Sequence, residues 1–349
     1  MARALTLAER GWGRVHPNPL VGAVLVNDGE VVGEGWHAEF GGLHAEAMAL
    51  QAAGEAARGA AMFVTLEPCA HVGKQPPCVD ALVAAGVQRV VIAMSDPNPE
   101  AAGGAAKLRE AGLTVEVGLL ATAAERLNAR FLWRFGAPSR PFVAVKLAVS
   151  LDGQIADRHG HSSWLSGAEA REWVHRLRAG FGAIGLGAAS LVADDARLTV
   201  RGSVQPSAPP IRVIFDRSGR VQPTQGIFAD VENVPLWMVM GTAVPHADLA
   251  GIEAAGARVI LSDGLEGALT QLAGLGVDSL LVEGGGRLAG ALLAGGLVDR
   301  VYQVMSPLWL GDGRPAWFGL GAPNLGEALR WRVVDRVPLG EDTLLVLEQ

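Results

Sequence analysis

Short apolar runs alternate with Ala- and Leu-rich stretches of helical period along most of the chain, and this alternation confines the fold to the α/β class. Residues 1–11 read as an amphipathic helix. Residues 20–26 and Glu30–Trp36 flank Asn27, Asp28 and Gly29, the chemistry of an antiparallel hairpin. A helix over about 44–57, a strand Ala61–Leu66, a helix 79–85, a strand 89–93, a helix 101–111, a strand 113–117 and a helix 122–135 follow. The order predicts a largely parallel sheet covered by helices.

Gly136, Pro138 and Pro141 then break the pattern, which makes this stretch the best linker candidate in the chain. Its 349 residues also exceed the roughly 100 to 200 of one domain. Two domains are therefore expected, 1–138 and 139–349. The second begins with a strand Phe142–Ser150 and continues with a helix Ala168–Ala179. Strands Ile211–Asp216, 235–240, Arg258–Leu261 and Ser279–Glu283 come next, each followed by a turn or helix, and 200–210 reads as a polar surface loop.

The formal net charge is −7, which argues against general affinity for nucleic acid or an anionic membrane, since both need a basic surface. An anionic substrate must meet a local basic pocket instead. No uncharged run approaches the roughly 18 to 20 residues of a membrane span, and residues 1–11 lack the apolar core of a signal peptide. A cytoplasmic protein without membrane or nucleic-acid partners is the expectation, with the oligomeric state, including a homo-oligomer, left open. The only cysteines, Cys69 and Cys78, exclude a disulfide scaffold and stand close enough to suggest a common site.

His44, Ala45 and Glu46 open a helix, while Pro68 and Cys69 follow a strand and Cys78 opens another helix. One imidazole and two thiolates suit tetrahedral Zn²⁺ with a fourth position left for water. A helix N-terminus favours the thiolate. Glu46 stands near enough to exchange protons with a water at the metal without binding the metal itself. His-x-Glu with Pro-Cys and a second Cys is the nucleobase-deaminase signature, normally with a Cys-x-x-Cys spacing that this chain widens. Taken singly, each part has a plain alternative: a solvated helix start, or two buried hydrophobic cysteines.

His16-Pro17-Asn18-Pro19, Val21-Gly22, His44-Ala45-Glu46, and Thr65 to His71 followed by Gly73 to Cys78 together resemble the bifunctional riboflavin-biosynthesis deaminase/reductases, in which the wide cysteine spacing is typical. Ala70 and Gln75 are small departures, where that family often has Ser and Thr. The resemblance implies a cytidine-deaminase-like three-layer domain and hydrolytic deamination of 2,5-diamino-6-ribosylamino-4(3H)-pyrimidinone 5′-phosphate. It makes His44, Cys69 and Cys78 the ligands of one Zn²⁺ per chain and Glu46 the catalytic proton shuttle. Asn18 would hydrogen-bond the pyrimidine, and His71 and Lys74 would meet the ribose phosphate. The chain has only three lysines, Lys74, Lys107 and Lys146, and two of them fall in motifs.

A second set of residues resembles the reductase half of the same family: Lys146 to Gly153, Ser162 to Ser166, Gly185 to Gly187, Ser190 to Arg201, and Val282 to Arg287. The glycine run Gly284 to Gly286 does not fit the spaced dinucleotide fingerprint, and alone it would read as a turn. Ala196, where a proline is common, and Ser190, in place of threonine, are departures. The resemblance implies a dihydrofolate-reductase-like α/β domain that uses NADPH to reduce the ribosyl chain to ribityl. NADPH would contact Val149, Trp164, Ser190, Asp194, Arg217 and the turn Gly285, Gly286, Arg287, Leu288, Ala289 and Gly290. The phosphorylated substrate would face Ser162, Arg178, Leu198, Arg201 and Glu283. Lys146 and Asp194 are the candidates for polarising or protonating the sugar carbonyl. A guanidinium fork suits phosphate, although any single arginine among many is more often a surface residue.

Two alternatives stand beside this reading. One is a nucleoside or tRNA zinc deaminase with an accessory domain. The other is a noncatalytic zinc clasp, closed by His71 as a fourth ligand.

Overall fold

The computed structural model describes residues 1–71, 76–136, 138–163 and 165–349. The chain divides into two compact units, Met1–Pro138 and Ser139–Gln349. No helix among the described residues is long and apolar enough to cross a membrane.

The first unit runs α1 (Ala2–Ala8), β1 (Gly22–Asn27), β2 (Glu30–Trp36), α2 (Ala45–Ala53), β3 (Ala61–Leu66), α3 (Cys78–Ala84), β4 (Arg89–Met94), α4 (Gly104–Glu110), β5 (Thr114–Val117), α5 (Ala121–Leu127) and α6 (Ala129–Trp133). Its sheet has the order β2-β1-β3-β4-β5. The hairpin β1-β2 is antiparallel and β3-β4 and β4-β5 are parallel, as expected, but β1 also lies antiparallel to β3, so the sheet is mixed rather than largely parallel. The tight turn at Asp28 and Gly29, both at positive φ, makes β1 and β2 antiparallel, and α2 then returns the chain to run β3 in the direction of β2 on the far side of β1, so β1 opposes both neighbours.

Alternation along β1 places helices on both faces. Ala23 and Leu25 enter the core under α2, α3 and α4, whereas Val24 packs on the other face against Ala4 and Leu7 of α1. On β2, a Cβ at Gly33 would stand 2.3 Å from the Ala49 carbonyl, and one at Gly35 would stand 2.2 Å from that of Ala45. Two absent side chains thus let α2 lie directly on the strand. The expected helix 122–135 is broken at Asn128, whose buried amide pairs with both backbone groups of Leu20: Leu20 N–H donates to Oδ1 (2.8 Å), and Nδ2 donates to Leu20 O (2.9 Å). This pairing anchors the chain just after the His16 to Pro19 segment.

The second unit runs β6 (Phe142–Ser150), β7 (Gln154–Ala156), α7 (Ala168–Ala179), β8 (Ala183–Gly187), α8 (Ala188–Asp194), β9 (Ile211–Asp216), β10 (Leu236–Met240), α9 (His246–Ala254), β11 (Arg258–Leu261), α10 (Leu265–Gly274), β12 (Ser279–Glu283), α11 (Gly286–Ala294), β13 (Arg300–Ser306), β14 (Arg314–Pro315), β15 (Arg332–Leu339) and β16 (Asp342–Glu348). A nine-stranded sheet has the order β11-β10-β9-β8-β12-β6-β13-β16-β15. It is parallel from β11 to β13 and antiparallel at β13-β16-β15. Successive residues Val213 and Ile214 enter different cores, so both faces of the sheet are buried. After β6 the chain passes to β8, moves outward to β11, and returns to insert β12 between β8 and β6. That reversal opens a crevice at the carboxyl ends of β6, β8 and β12, where ligands bind in open parallel sheets.

Candidate active sites

In the first unit, His44 caps the N-terminus of α2 and Glu46 lies in its first turn, 4% exposed. Cys69 follows β3, and Cys78 is the first residue of α3. His44 Nδ1 lies 3.2 Å from Cys78 Sγ and 3.6 Å from Cys69 Sγ, and the three donor atoms all fall within 4.8 Å of one another. Zinc bonds of about 2.1 Å to nitrogen and 2.3 Å to sulfur, at a tetrahedral angle, separate such donors by about 3.6 Å. The set therefore fits the ion, and His71 is not part of it.

Electrostatics favour the same assignment. A hydrogen bond from the Cys78 thiol, opposed by burial and aided by His44 and the Cys78 N–H, draws the Cys69 thiol down, while the same hydrogen bond and burial push Cys78 up, so without a metal the two sulfurs share one proton that zinc would displace. Burial pushes Glu46 up to about 6, where a carboxyl can both take and give a proton near neutrality.

His44, Glu46 and Cys69 open on a cavity of about 290 Å³ that is also lined by Asn18, His37, His71, Asp96 and Asn98. His37 Nδ1 is 3.0 Å from the Leu43 carbonyl, so that nitrogen carries the proton and Nε2 accepts from Asn18 Nδ2 at 3.1 Å. The contact orients the Asn18 amide toward the cavity. Sequence reading missed His37, Asp96 and Asn98. The available signal was polar side chains directly after strands β2 and β4. Lys74 lies outside the described residues.

In the second unit, a crevice of about 800 Å³ brings together Lys146, Ser162, Arg178, Ser190, Asp194, Leu198, Glu283, Gly285, Gly286 and Arg287. Ser162 Oγ donates to Asp194 Oδ1 at 3.4 Å. Gly284 and Gly285 have positive φ and lead into α11, so the predicted turn through Gly290 is instead a helix start. Gly285 to Arg287 reach the crevice with backbone N–H groups suited to a pyrophosphate, and the volume suits a nucleotide beside a small substrate.

Several expected residues are not brought there. Ala289 is fully buried in the core, and Val149 nearly so. Gly290 packs so closely that a Cβ would stand 2.0 Å from the Phe318 carbonyl, and Leu288 lies against Gly187. Arg201 is exposed, with its N–H donating to His175 Nδ1. Arg217 follows β9 and does not line the crevice. Trp164 lies outside the described residues.

Arg178 does not present a free fork. Its Nε and Nη2 donate to the two oxygens of Glu283 at 2.5 and 2.8 Å, and Nη1 donates to Thr199 O at 2.9 Å. Burial would raise the Glu283 carboxyl, but Arg178 and then Lys146 outweigh it and hold the group below its ordinary value. Burial lowers the Lys146 ammonium, and the residue stands opposite Glu283 in the parallel β6-β12 register. Arg171, Arg287 and Arg314, which sequence reading did not connect with phosphate except for Arg287 as a cofactor contact, also line the crevice.

The profile of the RibD C-terminal domain matches residues 141–345, and that of the cytidine and deoxycytidylate deaminase zinc-binding region matches residues 1–94. The riboflavin biosynthesis protein RibD of Escherichia coli strain K12 is 41% identical over 99% of this chain and 98% of its own length. The chain belongs to the RibD family. The RibD protein of Aquifex aeolicus is 38% identical over 100% of this chain and 97% of its own. Among solved structures, RibD of Acinetobacter baumannii is similar with a TM-score of 0.81, 37% identity, and coverage of 99% of this chain and 97% of that one. A diaminohydroxyphosphoribosylaminopyrimidine deaminase/5-amino-6-(5-phosphoribosylamino)uracil reductase from Thermotoga maritima gives 0.82, 35% identity, and coverage of 100% and 97%. RibD proteins are bifunctional, so a zinc deaminase and a reductase of riboflavin biosynthesis reside in this one chain.

Proposed function

We propose that the unit Met1–Pro138 deaminates the diaminopyrimidinone ribosyl phosphate and that the unit Ser139–Gln349 then reduces its ribosyl chain with NADPH. The observation that carries the first assignment is the His44, Cys69 and Cys78 donor set with buried Glu46 beside it. These three side chains would hold zinc, which when bound supplies a water nucleophile active near neutral pH. Glu46 would take a proton from the attacking water and deliver it to the departing amino group, so water enters and ammonia leaves. Asn18, oriented by His37, offers a donor and an acceptor to the pyrimidine edge. His71 and Lys74 are assigned to the ribose phosphate.

In the second unit, Ser190, Asp194 and the start of α11 would hold NADPH, which supplies a hydride. Opening of the ribosylamine ring frees the 4′-hydroxyl and leaves a C1′=N imine; with hydride added at C1′, Lys146 donates the balancing proton to the imine nitrogen rather than to a sugar carbonyl, so NADPH and one proton are consumed for each ribityl product. The Arg178–Glu283 pair shapes the wall beside Lys146, with Ser162 and Leu198 facing substrate. Arg201 and Arg217 would act at the rim, on substrate and cofactor phosphate respectively.

A free pyrimidine phosphate, rather than nucleic acid, is supported by the net charge of −7 and by the family match over the second half, which replaces a mere accessory domain. Two thiolate ligands favour a reducing compartment, which supports the cytoplasm. The test supplies the diaminopyrimidinone with and without NADPH and follows ammonia and NADPH separately. Ammonia release without NADPH is expected, with NADPH oxidised only after deamination. NADPH oxidation on the undeaminated substrate would overturn the order.

A further inference from the structure

Glu67 stands two residues before Cys69 and has no place in the chemistry above. It is 8% exposed, and both its oxygens accept backbone N–H groups: Oε1 from Ala105 in the first turn of α4 (2.8 Å), Oε2 from Asp96 (3.1 Å). The first bond ties the metal-bearing end of β3 to a helix. The second ties it to the loop that presents Asp96 and Asn98 to the cavity. That loop is shaped further by Asp96 Oδ1, which accepts Asn98 N–H at 2.9 Å.

The same helix grips the following residues. A Cβ at Gly104 would stand 1.8 Å from the Pro68 carbonyl, so the α4 backbone rests directly on Pro68. Ala70 N–H donates to Ala101 O at 3.2 Å, and Lys107 Nζ donates to Ala70 O at 2.7 Å. Cys69 is thus held between two residues whose backbone is fixed from α4 and its leading loop. Lys107 is the third of the chain's lysines, the one that no sequence motif absorbed. Both it and α4 lie beyond residues 1–94 of the matched zinc-binding region.

We propose that Glu67 and Lys107 are positioning residues that set the Cys69 thiolate and the pyrimidine-facing loop in one register, so that metal retention and substrate affinity are coupled through α4. The proposal rests on the zinc reading of His44, Cys69 and Cys78. Neither residue is among the three metal donors; Glu67 borders the cavity but both its oxygens are taken by backbone N–H groups, and each residue acts through the backbone on either side of Cys69.

The test uses the full zinc-loaded chain and its Glu67→Gln, Lys107→Met and Lys107→Arg variants. Zinc release to a chromogenic chelator, the ligand-field spectrum of the cobalt(II)-substituted protein, and KM and kcat of deamination are measured, with urea unfolding followed by circular dichroism as the control for folding. Glu67→Gln keeps one acceptor but places an amide N–H against a backbone N–H. It is expected to release zinc about 10-fold faster, the lower end for outer-shell changes, to shift the cobalt spectrum, and to raise KM more than it lowers kcat. Lys107→Met is expected to move the same readouts in the same direction, and Lys107→Arg to restore them. If Glu67→Gln loses cooperative unfolding of the first unit, the Lys107 pair decides. Parent-like zinc release and KM in Lys107→Met, or in a folded Glu67→Gln, overturns the proposal. A parent protein that binds no zinc overturns the underlying reading instead.

Discussion

Arg178 and Glu283, 105 residues apart in sequence, meet as a two-point ion pair in the wall of the reductase crevice, with N···O distances of 2.5 and 2.8 Å. The carboxylate is 8% exposed. Breaking a buried pair of this kind leaves one charge without a partner, at a cost of about 3 to 5 kcal/mol. Arg178→Ala and Glu283→Gln are each expected to lower the stability of the second unit on that scale, while deamination continues. Urea unfolding together with an ammonia assay checks it. A stability change below about 1 kcal/mol, the scale of an exposed pair, would contradict the buried assignment.

The same pair sets an acid limit. The folded value of Glu283 is depressed, so its contribution to stability is complete above the unfolded carboxylate value of about 4.3 and is lost as pH falls through the lower folded value. Thermal midpoints of the parent should fall through this window. The Glu283→Gln variant, which cannot titrate there, should show a shallower fall.

Burial lowers the Lys146 ammonium, with Arg178 adding to the effect and Glu283 opposing it. A proton donor must be protonated, so reductase kcat should fall as pH rises through a value below the usual lysine value of about 10.4. Lys146→Met should lose this limb and about 10²- to 10⁴-fold in turnover, with zinc content and deamination unchanged. An unaltered pH profile in that variant would remove Lys146 from the proton-donor role.

Glu46→Gln should retain zinc, since Glu46 is not among the three donors, and should lose about 10²- to 10⁴-fold in ammonia release. NADPH oxidation on supplied deaminated substrate should match the parent. Metal analysis and the two separate assays distinguish this from unfolding. Ammonia release at the parent rate would exclude Glu46 as the proton shuttle.

The zinc centre was legible because its chemistry is concentrated: His44 and Glu46 share one helix start, and the only two cysteines lie close together. The strands Phe142–Ser150 and Ser279–Glu283 were legible because both are apolar runs, the first interrupted by Lys146 alone before its terminal serine, in the middle of a parallel sheet. β8 escaped because Ala183–Gly187 is short and contains two glycines. β15 escaped because Arg332–Leu339 is a polar edge strand carrying Pro338, the position at which a sheet tolerates proline. Asn128 reads as an ordinary helical residue until Leu20, 108 positions away, takes both ends of its amide. His37, Asp96 and the Arg178–Glu283 pair were hidden for the same reason: each acquires its role from a partner that only the sheet topology brings near.

Gly33 and Gly35 put α2 as near to β2 as two backbones can come. The places of His44 and Glu46 are therefore set by a hard stop and not by a balance of soft contacts. A part resting on a stop can drift in only one direction, and here any added side chain moves the helix outward. Change at these two codons is one-sided: it can widen the deaminase cavity and relax what enters, but it has no route to a narrower one.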